Sequence, residues 1–122
     1  MKPEISLYSS AIRIEQWLDF YNSIGDNNIT FEVVFVGPNK PDFILPENFK
    51  FIQTNVKPVQ CVEIAARAAK GKYLVPIADD CFFDIQNPLT KLYNSFLLYE
   101  NSKLILSCKY FTEESGRHIH AG

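Results

Sequence analysis

A chain of 122 residues fits one domain and can bury about two thirds of its unfolded surface. Its 47% hydrophobic and 21% charged residues are globular proportions, and a formal net charge of −2 with scattered Lys and Arg excludes a general attraction to nucleic acid. No apolar run approaches the ~18 residues of a membrane-spanning helix, the start lacks a secretory layout, and three separated cysteines (Cys61, Cys81, Cys108) point to reduced thiols in a cytoplasmic setting rather than a zinc site.

In chain order, Glu4 to Ser9 alternates and begins almost at the N-terminus, as a first strand does. Ile14, Trp17, Leu18, Tyr21 and Ile24 recur at helical spacing and predict an amphipathic helix over Ile14 to Ser23. Gly25-Asp26-Asn27-Asn28 ends it with residues suited to turns. Thr30 to Val36 is dense in β-branched and aromatic residues and reads as a strand buried on both faces. Gly37 to Asp42 breaks the pattern, and Phe49 to Ile52 is a short third strand. Pro58 suits the first turn of an alanine-rich helix from Val59 to Ala69, which Gly71 stops. Tyr73 to Ile77 is the fourth strand. Asn87-Pro88 opens a third helix as N-cap and N1 proline, with Leu89, Leu92, Tyr93 and Phe96 as its buried stripe. Lys103 to Cys108 reads as a last strand.

The order β-α-β-β-α-β-α-β predicts an α/β fold, a three-layer α/β/α sandwich with a mostly parallel sheet. Residues 1–111 form the expected domain. Residues 112–122 are a polar tail with Gly116 and two histidines, expected as an unstructured end.

The fourth strand ends in Ala78-Asp79-Asp80, two adjacent carboxylates with no basic residue beside them in sequence. Two ionised groups at one strand tip repel, so a bound cation or a raised pKa is the natural remedy. Ligands of open α/β sheets gather at the carboxyl ends of strands, where these acids fall. A hard divalent ion holding phosphates satisfies both requirements; the alternative is that both acids merely cap a solvated loop.

Several segments together resemble the N-terminal, donor-binding half of the family-two GT-A glycosyltransferases, which use nucleotide-diphosphate sugars. Ile5-Ser6-Leu7-Tyr8-Ser9-Ser10 stands at the family's opening strand and nucleotide-contacting loop, and Phe31 to Gly37 at its second strand. Cys61 to Gly71 with Lys72-Tyr73-Leu74-Val75 resembles the helix ending in Ala-x-Gly-x-Tyr that leads into the metal-bearing strand. Ala78-Asp79-Asp80 falls on the Asp-x-Asp element. The resemblance runs to about Phe83 and implies a truncated nucleotide-diphospho-sugar transferase-like fold that binds Mn²⁺ or Mg²⁺.

By that resemblance Asp80 is the direct metal ligand, and Asp79 contacts ribose or joins the metal site. Ser9 and Ser10 contact the base or ribose, Gly37 and Asn39 form a second wall, and Gln60, Glu63 and Asn55 reach ribose or donor phosphate. The pattern departs from the family at three places. Gly37-Pro38-Asn39 replaces the acid after strand two, Ala78 replaces the first acid of Asp-x-Asp, and Cys61-Val62-Glu63 stands where Ala-Arg-Asn is common.

The acceptor site and catalytic base of the family lie beyond the metal strand. Only Glu113, Glu114, His118 and His120 are ionisable candidates downstream, so the catalytic residue is unassigned and the reading is of a donor-binding half. The expected partners are a nucleotide-diphosphate sugar and an acceptor. A non-catalytic, oligomerising interaction module with the same fold is the alternative, because an incomplete sheet leaves an unpaired edge. A receiver-type phosphoacceptor would need a further Asp that the Gly37 loop does not supply. Trp17 and the cysteines are expected in the core; Arg13 and Arg67 are candidates to pair with phosphates, with solvated helix surface the preferred expectation.

Overall fold

The computed structural model of the chain describes residues 2–80, 82–98, 109–111 and 118–120. The apolar segments pair as β1 (Ile5–Ser10), β2 (Phe31–Gly37), β3 (Phe49–Gln53) and β4 (Tyr73–Pro76), all parallel, in the order β3-β2-β1-β4. Central β1 matches β2 from Ile5↔Phe31 to Ser10↔Val36, and β4 from Ile5↔Tyr73 to Tyr8↔Pro76.

Side chains alternate across a strand, so each strand feeds two layers. On one face Ile5, Leu7, Val33, Phe35, Phe49 and Val75 close a core with Trp17, Phe20 and Ile24 of α1 (Trp17–Ile24) and Leu89 of α3 (Pro88–Leu98). On the other, Val34 and Val36 meet Cys61 and Ala65 of α2 (Pro58–Ala68), whose small side chains let the helix approach the sheet closely. The three-layer α/β/α sandwich is the predicted one. Among the described residues, no helix is long and apolar enough to cross a membrane.

The first helix departs from its predicted phase. A 3₁₀ turn, Ile14–Gln16, precedes α1, and the buried residues are Trp17, Phe20 and Ile24, while Leu18 is 36% exposed. Phe20 takes the inner position because its ring stacks on Phe35, 5.7 Å away. Trp17 is wholly buried, with Phe35 and Phe51 each 5.3 Å from it, and is a core residue as expected.

The start of α3 also differs. Asn87 does hold the N-cap position before Pro88, its carbonyl accepting the Lys91 N–H at 3.1 Å, but its φ of 52° is left-handed and its side chain is not the capping group. The cap comes from Asn27, in the turn after α1, whose Oδ1 accepts the N–H groups of Leu89 (3.1 Å) and Thr90 (3.2 Å). The predicted stripe of Leu89, Leu92, Tyr93 and Phe96 does face the core.

At the N-terminal ends of the strands, Glu32 is 4% exposed within the apolar run of β2. Its Oε2 accepts the Ser6 hydroxyl (2.6 Å) and the Lys70 N–H (2.6 Å), and Lys50 Nζ lies 3.0 Å from its Oε1. The Ser6 hydroxyl oxygen in turn accepts the Gly71 N–H at 2.7 Å. A Cβ on Gly71 would collide with Ser6, so glycine is required where the α2–β4 turn crosses β1. Burial alone would push the Glu32 carboxyl up, but hydrogen bonds from Lys70 and Ser6, with the Lys50 charge, hold it below the usual value.

The predicted strand over Lys103 to Cys108 lies outside the described residues. β5 (Lys109–Phe111) and β6 (His118–His120) pair antiparallel, Lys109 opposite His120. The tail expected to be unstructured thus contributes a strand, because ladder hydrogen bonds satisfy a backbone whether or not its side chains offer a core face.

Candidate functional site

The carboxyl ends of β1, β2 and β4 lie side by side, and the loop leaving β1 ties them together. The Ala11 N–H donates to the Val36 carbonyl at 2.9 Å. A Cβ on residue 37 would overlap the Ala11 carbonyl oxygen, so Gly37 is what lets this loop pass over the tip of β2. Past β4, the Ile77 N–H donates to the Tyr8 carbonyl at 3.0 Å and carries the pairing up to the two acids.

Adjacent in sequence, the acids have different environments. Asp79 is 3% exposed. Its Oδ2 accepts the backbone N–H groups of Ile12 (2.7 Å) and Arg13 (2.6 Å), and its Oδ1 accepts Arg13 Nη1 at 2.8 Å. The Asp80 side chain is 45% exposed, and its nearest cation among the described residues is Arg13 Nε at 3.8 Å, too far for a hydrogen bond.

A basic residue therefore does stand beside the acids, contrary to what their sequence neighbourhood predicts. It arrives from the β1 loop, 66 positions away. The hydrogen bond to Asp79, and then the charge of Asp80, hold the Arg13 guanidinium above its ordinary pKa.

These contacts decide what each acid can do. Both Asp79 oxygens are engaged, so this side chain anchors the β1 loop and fixes Arg13. Asp80 presents an open carboxylate at the strand tip. Mg²⁺ and Mn²⁺ need only one or two protein carboxylates when phosphate and water complete the shell, and Asp80 fits that requirement. Asp79 could join only by giving up a hydrogen bond. Among the described residues, no group of three His, Cys, Asp or Glu side chains converges to form an all-protein cage.

The remaining predicted residues are distributed as follows. Ser9 is buried, its hydroxyl donating to the Ser10 carbonyl (2.6 Å), and Ser10 is half-buried at the tip of β1. Gly37 is buried under the Ala11 carbonyl and acts by admitting the loop. Asn39 and Asn55 are exposed at the ends of β2 and β3. Gln60 turns back to the start of α2, where its Oε1 accepts the Lys57 N–H at 3.2 Å. Glu63 is ion-paired with Arg67 one turn along the same helix, at 2.8 Å. Cys61 is buried as predicted, and Cys81 and Cys108 lie outside the described residues.

Sequence reasoning preferred solvated helix surface for Arg13, did not foresee its pairing with Asp79, and missed Glu32. The signal for Glu32 was present as a lone acid inside an otherwise apolar strand. For Arg13 the only signal was a base three residues after the first strand. Two shallow clefts lie at the opposite end of the sheet, one around Lys2, Lys70 and Gly71, the other around Glu32, Asn48 and Lys50. The carboxylate beside them is already saturated by Ser6, Lys50 and Lys70, which leaves the Asp80 end as the candidate site.

No family model matches the chain, and no curated protein matches it. Among solved structures, S. aureus TarS (residues 1–349) is similar, with a TM-score of 0.54 at 22% identity. That neighbour is of the GT-A glycosyltransferase type, and this chain shares its α/β fold. The match covers 80% of this chain and 32% of the TarS chain, so the chain spans about a third of that structure's length. In this sheet order, the carboxyl ends of β2, β1 and β4 define the edge along which Ser10, Gly37, Arg13 and Asp80 are brought together.

Proposed function

We propose that the carboxyl end of this sheet binds a nucleoside-diphosphate sugar together with Mn²⁺ or Mg²⁺, for transfer of the glycosyl group to an acceptor. The observation that carries the reading is the exposed Asp80 carboxylate at the tip of β4, beside an Asp79 locked into the β1 loop, on a sheet of GT-A type. The family-two resemblance of the segments around Ser9, Gly71 and Asp79 supports the same assignment.

In this reading Asp80 holds the metal, and Asp79 positions the loop that carries Arg13. Ser10, with Ser9 behind it, and the backbone at Gly37 form the wall for ribose and base. Exposed Asn39 and Asn55 supply hydrogen bonds along the rim. Gln60 and Glu63 serve the donor only after releasing Lys57 and Arg67. A bound divalent ion would neutralise charge that develops on the leaving diphosphate, as a Lewis acid. The catalytic base and acceptor site stay unassigned, and no observation favours the oligomerising alternative.

The test is calorimetric titration of the purified chain with UDP and GDP in Mn²⁺, alongside thermal melting. Binding should raise Tm, since a ligand at 100 times its Kd adds about 2.7 kcal/mol of stability. Asp80→Asn should abolish the part of that binding that depends on metal. Absence of both heat and Tm shift for every nucleotide, with or without metal, overturns the proposal.

A further inference from the structure

Arg13 is anchored more firmly than neutralising Asp79 alone explains. Its backbone N–H and that of Ile12 both donate to Asp79, and one guanidinium nitrogen donates to the same carboxylate. An arginine committed wholly to a carboxylate pairs through two parallel N–H groups. Here a single nitrogen reaches Asp79 within 2.8 Å, and Nε stays 3.8 Å from Asp80. Among the described residues, no further hydrogen bond engages the guanidinium. Its side chain is 46% exposed, and only one of its five donors is spent on Asp79.

The open donors of the guanidinium suit an anion with several oxygens. Asp79 and Asp80 together leave a net negative charge beside Arg13, so metal-free affinity for an anion has to draw on positive potential from elsewhere at this end of the sheet. The start of α2, with exposed Lys57 before it, lies at the same end of the sheet, because Thr54 closes on the Gly37 carbonyl at 2.8 Å just upstream. That helix terminus adds N–H groups and positive potential on the far side of β1 from Asp80. A planar guanidinium matches phosphate oxygens in fork geometry, and this one is already held in place, so little conformational entropy is lost on contact.

We infer that Arg13 is the diphosphate-contacting cation of this site, and that nucleoside diphosphates are therefore held in part without a metal ion; this rests on the donor-binding reading above. The contact exchanges a weak ion pair with Asp80 for charge-assisted hydrogen bonds to phosphate. A divalent ion on Asp80 strengthens that contact by removing the neighbouring negative charge.

Calorimetry with UDP, GDP and inorganic pyrophosphate, each in EDTA and in Mn²⁺, tests the assignment on the wild-type chain, Arg13→Gln and Arg13→Lys. Wild-type protein should bind all three in EDTA, and the ¹⁵N resonance of Arg13 Nε should shift on titration with pyrophosphate. Arg13→Gln should weaken the EDTA binding about tenfold to hundredfold, the expected worth of a hydrogen bond to a charged group. Arg13→Lys should retain an intermediate affinity, since charge survives and the fork does not. Nucleotides that bind in Mn²⁺ but not in EDTA overturn the role of Arg13 and leave the donor reading standing. An Arg13 resonance that stays still during pyrophosphate titration has the same meaning and needs no variant to fold. Pyrophosphate binding without any nucleotide binding keeps Arg13 and overturns the donor reading. Failure of all three ligands in both buffers overturns both.

Discussion

Asp79 and Asp80 are identical residues joined by one peptide bond, and their surroundings give them opposite roles. Asp79 is buried and accepts two backbone N–H groups and a guanidinium, whereas Asp80 is half-exposed with only a distant cation among the described residues. Asp79→Asn should destabilise the fold by about 1–3 kcal/mol in urea unfolding, because an amide loses the charge and one acceptor that the β1 loop requires. Asp80→Asn should stay within about 0.5 kcal/mol of wild type, as expected of an exposed side chain whose ion pair with Arg13 is long and solvated. Equal costs for the two would contradict the division of labour. The acidic pair and its place at a strand end were legible in the sequence. The counter-cation was not, because nothing local links Arg13 to a residue 66 positions later.

At the scale of elements, the apolar runs of β2 and α2 announced themselves through period and composition, and their observed limits fall within a residue or so of those predicted. Helix starts were less visible. The predicted N-cap of α3, Asn87, sits at a φ of 52°, and the capping oxygen belongs to Asn27. Asn27→Ala should therefore cost about 0.5–2 kcal/mol, the usual loss for an N-cap. Asn87→Gly should cost far less, since glycine adopts positive φ without strain. Denaturant unfolding of the two variants distinguishes them, and a larger loss at position 87 would return the cap to Asn87. The phase of α1 was likewise set by Phe20 finding Phe35, a contact that periodicity within the helix does not contain.

Across the whole molecule, Glu32 joins three strands and the α2–β4 turn through Ser6, Lys50, Lys70 and Gly71. Its carboxyl is held below the ordinary value of 4.5, so the folded state binds this proton more weakly than the unfolded chain does. The resulting stability is fully present above the unfolded value and is lost as pH falls through the folded one. Wild-type unfolding free energy should thus decline on acidification below about 4.5. Glu32→Gln should be less stable at neutral pH and show a flatter acid limb, and unfolding curves that run parallel from neutral to acid pH would refute the assignment.

Composition and periodicity were enough to determine the class of fold, its layers and the strand end that carries charge, because burial imposes its pattern residue by residue along the chain. Which acid is free, which asparagine caps a helix and which arginine reaches Asp79 were decided by tertiary structure alone. Each depends on two groups distant in the chain meeting at hydrogen-bonding range, and that meeting exists only once β1 lies between β2 and β4.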